Sequence, residues 1–206
     1  DQVLSIRVKT FREDSKSHTD SLKKLLEFTI EDQRVFLQNG RWTRFNESYT
    51  EWLDESIDTS IEMEIPADPD LVDISANETD FNPTMAVKGY VVNDKDFTIL
   101  LLKGYTVEAW DLKKGKTAYA VKFGTAQKVG YACDQAINVC EIIRNEPSKR
   151  AKLDLDTYCL WLILDRSINL TKLSGLKSII LKQKLDDWAR RSREIGIKPQ
   201  VRICLL

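Results

Sequence analysis

The stretch from Val107 to Tyr131 constrains the fold more than any other part of the chain. It contains an acid-bearing strand pattern, a KKGK turn, a second strand pattern with one lysine, and then a helical pattern. Two strands joined by a short turn pair antiparallel, and a helix that follows them packs on their sheet. The stretch therefore predicts an α+β fold with a mixed sheet.

The hydrophobic periodicity after residue 77 predicts a helix, three strands, a helix and a strand, followed by one more helix and a closing strand. The expected elements are 83–90, 97–103, 106–112, 117–123, 125–144, 157–164, 176–195 and 200–205. This predicts an α-β-β-β-α-β core within residues 78–206.

The preceding residues predict a small α+β unit over residues 1–64. A strand is expected at 3–8, a helix at 19–28, and a hairpin around Asn39-Gly40 between 34–37 and 42–45. Asn46 is expected to cap a helix that buries Leu53 and Ile57. Residues 65–77 are acidic and contain two prolines, which predicts a linker.

The charge distribution suggests two interaction surfaces. From Glu47 to Asp80 there are twelve acidic residues and no basic one, whereas Lys172 to Arg202 contains nine basic residues and three acidic ones. Lys182, Arg190 and Arg191 are candidates for contacts with the phosphates of DNA or RNA, the alternative being a solvated helix face. The acidic segment is a candidate surface for a protein partner, the alternative being a solvated face and linker.

Several classes of function are disfavoured by composition. The four cysteines form no CxxC pair and His18 is the only histidine, which disfavours zinc sites and histidine-assisted hydrolysis. Buried free thiols are expected instead, as in a reducing cytoplasm. The apolar runs are too short to cross a bilayer and no signal peptide is visible, so we expect a cytoplasmic protein with no membrane partner.

Four charged residues are candidates for phosphate chemistry. Carboxylates of Asp111, Glu78 and Glu108 are the hard ligands that Mg²⁺ prefers, and Lys122 can stabilise negative charge. With a four-residue turn, Leu112 lies opposite Thr117 and Lys122 remains roughly 13 Å along the ladder from Asp111. The alternative is structural: Asp111 caps a turn, Glu108 is solvated and Lys122 extends from a half-buried strand.

The order of these residues resembles the PD-(D/E)xK, or restriction-endonuclease-like, nucleases. That resemblance implies Mg²⁺ held by Asp111 with Glu78 or Glu108, and Lys122 near the attacked phosphate. Gln127 and Tyr131 are spaced QxxxY, as in RecB-type nucleases, where such a pair touches nucleic acid; Tyr131 could instead pack on the sheet. The chain departs from the pattern at Ala120, where Asp or Glu is expected.

The chain also resembles an uncharacterised, sporadically distributed family of prokaryotic proteins found among mobile and defence-associated genes. The resemblance lies in VFLQNGRWTRFNESYTEWLDESI, NETDFNPTMA, VEAWDL, YAVKFGTAQKVGYACDQA and IILKQKLDDWARRSREIGI. It marks Glu78, Asn82, Glu108, Asp111 and Lys122 as polar positions of interest. This family brings no established activity. Together with the nuclease-like order of residues, we expect a protein that engages nucleic acid in a bacterial defence or mobile-element system, as a Mg²⁺-dependent nuclease with a degenerate site. The alternative is a non-catalytic protein- or nucleic-acid-binding module of a larger defence assembly.

Overall fold

The computed structural model describes residues 5–12, 15–26, 28–30, 33–38, 40–64, 78–93, 100–102, 105–124, 126–164 and 170–205. The chain divides into two units, Asp1–Glu51 and Trp52–Leu206. Helices and strands occur together and the largest sheet is mixed, which confirms the predicted α+β class.

The first unit contains two small antiparallel sheets. Its elements are β1 (Arg7–Arg12), β2 (Ser15–Ser21), α1 (Leu22–Leu25), β3 (Phe28–Ile30), β4 (Val35–Gln38) and β5 (Arg41–Arg44). β4 and β5 pair as the predicted hairpin, and Gly40 between them has a φ of 78°, which glycine adopts without steric cost. The helix expected at 19–28 is shorter, because residues up to Ser21 pair with β1 instead.

Helix α2 (Glu47–Ser60) confirms the expected cap, since Asn46 Oδ1 accepts a hydrogen bond from the Ser48 backbone N–H at 2.9 Å. Leu53 and Ile57 are buried, as their spacing predicts. The next strand, β6 (Glu62–Glu64), pairs with the last strand of the chain. Residues 52–64 thus belong to the larger unit, earlier than the expected boundary, and the expected linker at 65–77 lies outside the described residues.

The larger unit is built on a six-stranded mixed sheet. Its remaining elements are α3 (Glu78–Thr84), β7 (Val91–Val92), β8 (Leu100–Leu102), β9 (Tyr105–Val107), β10 (Leu112–Lys114), β11 (Thr117–Phe123), α4 (Ala126–Asn145), α5 (Pro147–Leu153), β12 (Thr157–Leu164), α6 (Ile179–Glu194) and β13 (Lys198–Leu205). The strand order is β6-β13-β12-β11-β10-β7. β7, β10 and β11 are antiparallel neighbours, whereas β11, β12, β13 and β6 are parallel.

Both faces of this sheet are covered. On one face, Phe81 and Met85 pack with Tyr119, Val121 and Trp161 in the main apolar cluster. Successive side chains of a strand point to opposite faces, so Tyr158 points the other way, where its ring lies 6.4 Å from that of Trp188 on α6. The uninterrupted apolar pattern of β12 reflects this burial on both sides.

The helices and strands of the main sheet follow the expected α-β-β-β-α-β order, but the first two strands are not the ones predicted. β8 and β9 correspond to the strands expected at 97–103 and 106–112, but in the described part of the chain they form a separate two-stranded sheet. The first two strands of the main sheet are instead β7 and β10. The sequence α3, β7, β10, β11, α4, β12 reproduces helix, three antiparallel strands, helix and parallel strand, with β8–β9 and α5 as additions.

Candidate functional site

The β10–β11 turn brings Asp111 close to Lys122. Leu112 pairs with Tyr119 rather than with Thr117, so the turn consists of two residues and Gly115 takes its first position with a φ of 57°. The shift of two residues keeps every side chain on its expected face. It places Asp111 beside Ala120, and the Asp111 backbone N–H donates to the Tyr119 carbonyl at 3.0 Å. The long separation of Asp111 from Lys122 expected from a four-residue turn was wrong.

The segment before β10 is irregular but anchored. The carbonyl of Glu108 accepts from Gln135 Nε2 on α4 at 3.2 Å, and the carbonyl of Ala109 accepts from the buried Tyr158 hydroxyl at 2.7 Å. The carbonyl of Asp111 accepts from the Asn93 backbone N–H at 2.7 Å. Hydrogen bonds from α4, from β12 and from the residue after β7 thus fix the backbone that carries Asp111.

The carboxylate of Asp111 is buried, with 1% of the residue exposed. Its Oδ2 accepts a hydrogen bond from the Val121 backbone N–H at 2.6 Å. Burial raises the pKa of Asp111 to about 7, although the Val121 hydrogen bond and the charge of Lys122 lower it. The charges of Glu108 and Glu78 raise it further. These four charged groups therefore act on one another at one end of β11.

Lys122 and Glu78 form an ion pair, with 2.6 Å between Lys122 Nζ and Glu78 Oε1. Burial lowers the pKa of Lys122, but the hydrogen bond to Glu78 and the charges of Glu78, Asp111 and Glu108 outweigh this and raise the pKa above its usual value. Lys122 is therefore a fixed positive charge at neutral pH. The pair joins β11 to the first residue of α3.

The fit of this cluster to a metal ion is partial. Among the residues that the structure describes, no group of three His, Cys, Asp or Glu side chains is arranged to hold a metal ion. Ala120, beside Asp111, adds no carboxylate. Mg²⁺ in phosphate chemistry is commonly held by only one or two carboxylates, with substrate phosphates and waters completing its shell. The donor set fits that kind of site, and it does not fit an all-protein cage.

Comparison with known sequences places the chain in a family. Residues 1–157 match the family described as "Family of unknown function (DUF6119)". The chain belongs to this family. No curated protein and no solved structure matches the chain. The matched region of this DUF6119 chain includes Glu78, Asp111 and Lys122, together with α4.

Helix α4 presents Tyr131 to solvent, with 61% of the residue exposed, so this side chain is free of the sheet packing considered as its alternative. The helix also carries Gln127, whose side chain lies outside the described part. Gln135 shares the helix face of Tyr131, one turn further on, and binds the Glu108 carbonyl. The four-residue spacing of Gln127, Tyr131 and Gln135 was a signal for Gln135 that the sequence interpretation did not use.

The three candidate cations of the C-terminal helix all form ion pairs. Lys182 is only 8% exposed and its Nζ lies 2.5 Å from Asp54 Oδ1, so this lysine joins α6 to α2. Arg191 pairs with Glu141 and Asp187. Arg190 is exposed but pairs with Asp187 and Glu194. A phosphate that binds to these three residues would therefore compete with the ion pairs that they already form.

The remaining expectations concern the thiols and the membrane. Cys133, Cys140, Cys159 and Cys204 are buried and free, which confirms the expected buried free thiols. Among the described helices, none combines the length and the apolar character needed to cross a membrane.

Proposed function

We propose that this DUF6119 protein engages DNA or RNA through a restriction-endonuclease-like core, with Glu78, Asp111 and Lys122 as its site. The helix, three antiparallel strands, helix and parallel strand of the larger unit support this proposal. So does the place of Lys122 on the third of these strands, followed by the helix that carries Tyr131. A role in prokaryotic defence or in a mobile element is part of the proposal and rests on sequence resemblance.

The observation that carries the proposal is the Lys122–Glu78 ion pair beside the buried carboxylate of Asp111. Glu78 lies on α3, Lys122 on β11 and Asp111 in the segment before β10, and burying such charges together is costly. Structural pairs of this kind occur, but a strongly shifted carboxyl beside a fixed lysine is more typical of functional sites. This arrangement therefore favours a functional role for the cluster.

Each residue has a definite role in the proposal. Lys122 supplies a positive charge that can bind a phosphate oxygen and stabilise negative charge developing there. Asp111, with a pKa of about 7, can accept or release a proton at neutral pH. Tyr131 offers an exposed ring on which a base can stack.

Mg²⁺ is the proposed cofactor, held by Asp111 with Glu78 or Glu108. When bound, it would activate water and polarise the phosphate. Glu78 can turn toward a cation only if Lys122 is offered another anion, and a phosphate provides one. We therefore expect the cation and the nucleic acid to bind cooperatively.

A second candidate is a non-catalytic binding module. Ala120 favours it, because the carboxylate expected two residues before the lysine is missing. Such a module would use Lys122 and Tyr131 to bind nucleic acid without cutting it. A protein partner at the acidic segment 47–80 receives less support, because Asp54 and Asp58 bind Lys182 and Ser174 within the larger unit.

Binding of a short fluorescein-labelled oligonucleotide, followed by anisotropy, tests the proposal. Lys122→Ala and Tyr131→Ala are each expected to weaken binding by roughly 5- to 100-fold. Lys198→Ala is the matched control: this exposed lysine also pairs with a glutamate, Glu62, but it lies at the opposite end of the parallel strands. The proposal fails if the wild type does not bind DNA or RNA, or if all three variants bind equally well.

Cleavage of the same oligonucleotides separates the two candidates. A nuclease would cut in Mg²⁺ and lose activity with Asp111→Asn and Lys122→Met, whereas a binding module would bind without cutting. Binding should weaken strongly as salt rises in either case, because phosphate contacts release counterions.

A further inference from the structure

Strand β5 is the outer strand of a three-stranded sheet in the first unit, and all four of its residues are exposed. Its sequence, RWTR, places one indole between two arginines. The indole belongs to Trp42, which is 52% exposed. The strand thus offers aromatic surface and positive charge together.

The two arginines of β5 are available to a ligand. Within the described part of the chain, the side chains of Arg41 and Arg44 form neither an ion pair nor a hydrogen bond. On α6, by contrast, Lys182, Arg190 and Arg191 are each paired with a carboxylate. A phosphate can therefore bind the arginines of β5 without displacing a carboxylate.

A third cation lies at the turn before β5. A Cβ atom on Gly40 would be 3.2 Å from Cγ of Lys23, so the stem of this exposed lysine passes over the residue that precedes Arg41. Gly40 permits this close approach because it has no side chain. Lys23, Arg41, Trp42 and Arg44 together form the β5 surface.

The Trp42 ring is packed on one part and open on the other. Trp42 pairs across the sheet with Leu37, which is only 4% exposed, and directly opposite side chains contact each other on one face. Arg44 points to the same face, roughly 7 Å further along the strand. Aromatic rings for stacking and cations for phosphates are the two features by which proteins hold single-stranded nucleic acid.

We propose that the β5 surface binds single-stranded nucleic acid. A base stacks on the open part of Trp42, and backbone phosphates lie against the three cations. A single strand fits better than a duplex, because the bases of a duplex already stack on one another and hide their faces. This inference rests on the proposed function for its class of partner, and it adds a second contact on a different unit from Lys122.

The test is anisotropy of the full chain with a fluorescein-labelled oligothymidine of about 15 nucleotides, with a chelator present to prevent cleavage. Trp42→Ala should weaken binding roughly 5- to 100-fold, and it should weaken binding of a duplex of the same length by less than about 2-fold. Trp42→Phe should retain most of the binding, because a phenyl ring also stacks. Equal binding of the oligothymidine by wild type and Trp42→Ala overturns the inference.

Arg41→Gln and Arg44→Gln test the phosphate contacts. Each should lower the slope of log affinity against log salt by about 0.7, the value for one phosphate contact to a single strand. Both variants change only exposed side chains, so they test the β5 surface even if Trp42→Ala unfolds the first unit. An unchanged salt slope in both variants overturns the inference.

The matched control is Trp52→Ala. Trp52 is 53% exposed, but it lies on α2, which contains no lysine or arginine. Its loss should leave oligothymidine binding unchanged. A loss of binding as large as that of Trp42→Ala would show that any exposed indole suffices and would overturn the inference.

The outcomes separate this inference from the proposed function. If the wild type binds neither DNA nor RNA, both fail. If Lys122→Ala weakens binding and the β5 variants do not, only the β5 surface fails. If the β5 variants weaken binding and Lys122→Ala and Tyr131→Ala do not, the β5 surface is supported and Lys122 is not part of the binding site.

Discussion

Lys122 Nζ lies 2.6 Å from Glu78 Oε1, and this contact ties the third antiparallel strand of the main sheet to the start of α3. The side chains are 25% and 29% exposed, so water screens the pair only in part. The charge of Lys122 lowers the pKa of the buried Asp111 carboxyl, and the charge of Glu78 raises it. A change in any one of the three should therefore alter the behaviour of the other two.

The Lys122–Glu78 pair should contribute measurably to stability. Lys122→Met and Glu78→Gln are each expected to lower the free energy of unfolding by about 1–2 kcal/mol, between the values for exposed and buried pairs. Urea unfolding of both single variants and the double variant gives the coupling energy, which should exceed about 0.5 kcal/mol. A coupling energy of zero would mean that the pair does not form in solution.

Stability should depend on pH through Asp111. Its pKa is about 7 when folded and close to 3.8 when unfolded, so the unfolded chain binds fewer protons between these values. Protonated Asp111 favours the folded state, so its contribution to the free energy of unfolding is complete below about pH 4. This contribution is lost as pH rises through 7, by up to roughly 4 kcal/mol. Urea unfolding from pH 4 to 8, with a chelator present, measures it.

Asp111→Asn is the matched control for this pH dependence. It keeps an oxygen for the Val121 N–H and removes the titrating proton. The unfolding free energy of the wild type minus that of the variant should therefore fall as pH rises from 4 to 8. A difference that stays constant with pH would show that Asp111 has an ordinary pKa.

The Tyr158 hydroxyl should position Asp111 from a distance. Tyr158→Phe leaves the Ala109 carbonyl without its 2.7 Å donor and is expected to cost about 1–3 kcal/mol in unfolding free energy. The released segment should also shift the midpoint of the pH dependence described for Asp111. Tyr131→Phe is the control, because Tyr131 is exposed and the loss of its hydroxyl group should change neither quantity. An unaltered midpoint in Tyr158→Phe would contradict a positioning role.

Much of the fold could be predicted from sequence because its signals are local. Asn46 and the Asn39-Gly40 turn gave the cap and the hairpin, and the long apolar pattern of β12 gave a buried strand. The strand β7 has only two residues, Val91 and Val92, which is too short for any periodicity. The β8–β9 hairpin was therefore assigned to the main sheet in its place.

The candidate site was less accessible to sequence reasoning because it depends on long-range pairing. A two-residue turn with Gly115 first is a common hairpin connection, and choosing it would have placed Asp111 beside Ala120. The ion-pair partners of Lys182 and Arg191 could not be predicted in this way. Asp54 and Glu141 lie 128 and 50 residues away in the chain, and no local pattern indicates that these charges neutralise one another.

We propose that Asp111 and Glu78 form a cation site that a phosphate completes. Calorimetric titration of Mg²⁺ and Mn²⁺, with and without a short DNA, tests it in the wild type, in Asp111→Ala and in the control Asp80→Ala, which removes an exposed carboxylate from the same helix as Glu78. We expect weak binding to the free wild type and to Asp80→Ala, tighter binding in the presence of DNA, and no binding to Asp111→Ala. Equal binding to Asp111→Ala, or none to the wild type even with DNA present, would contradict the account.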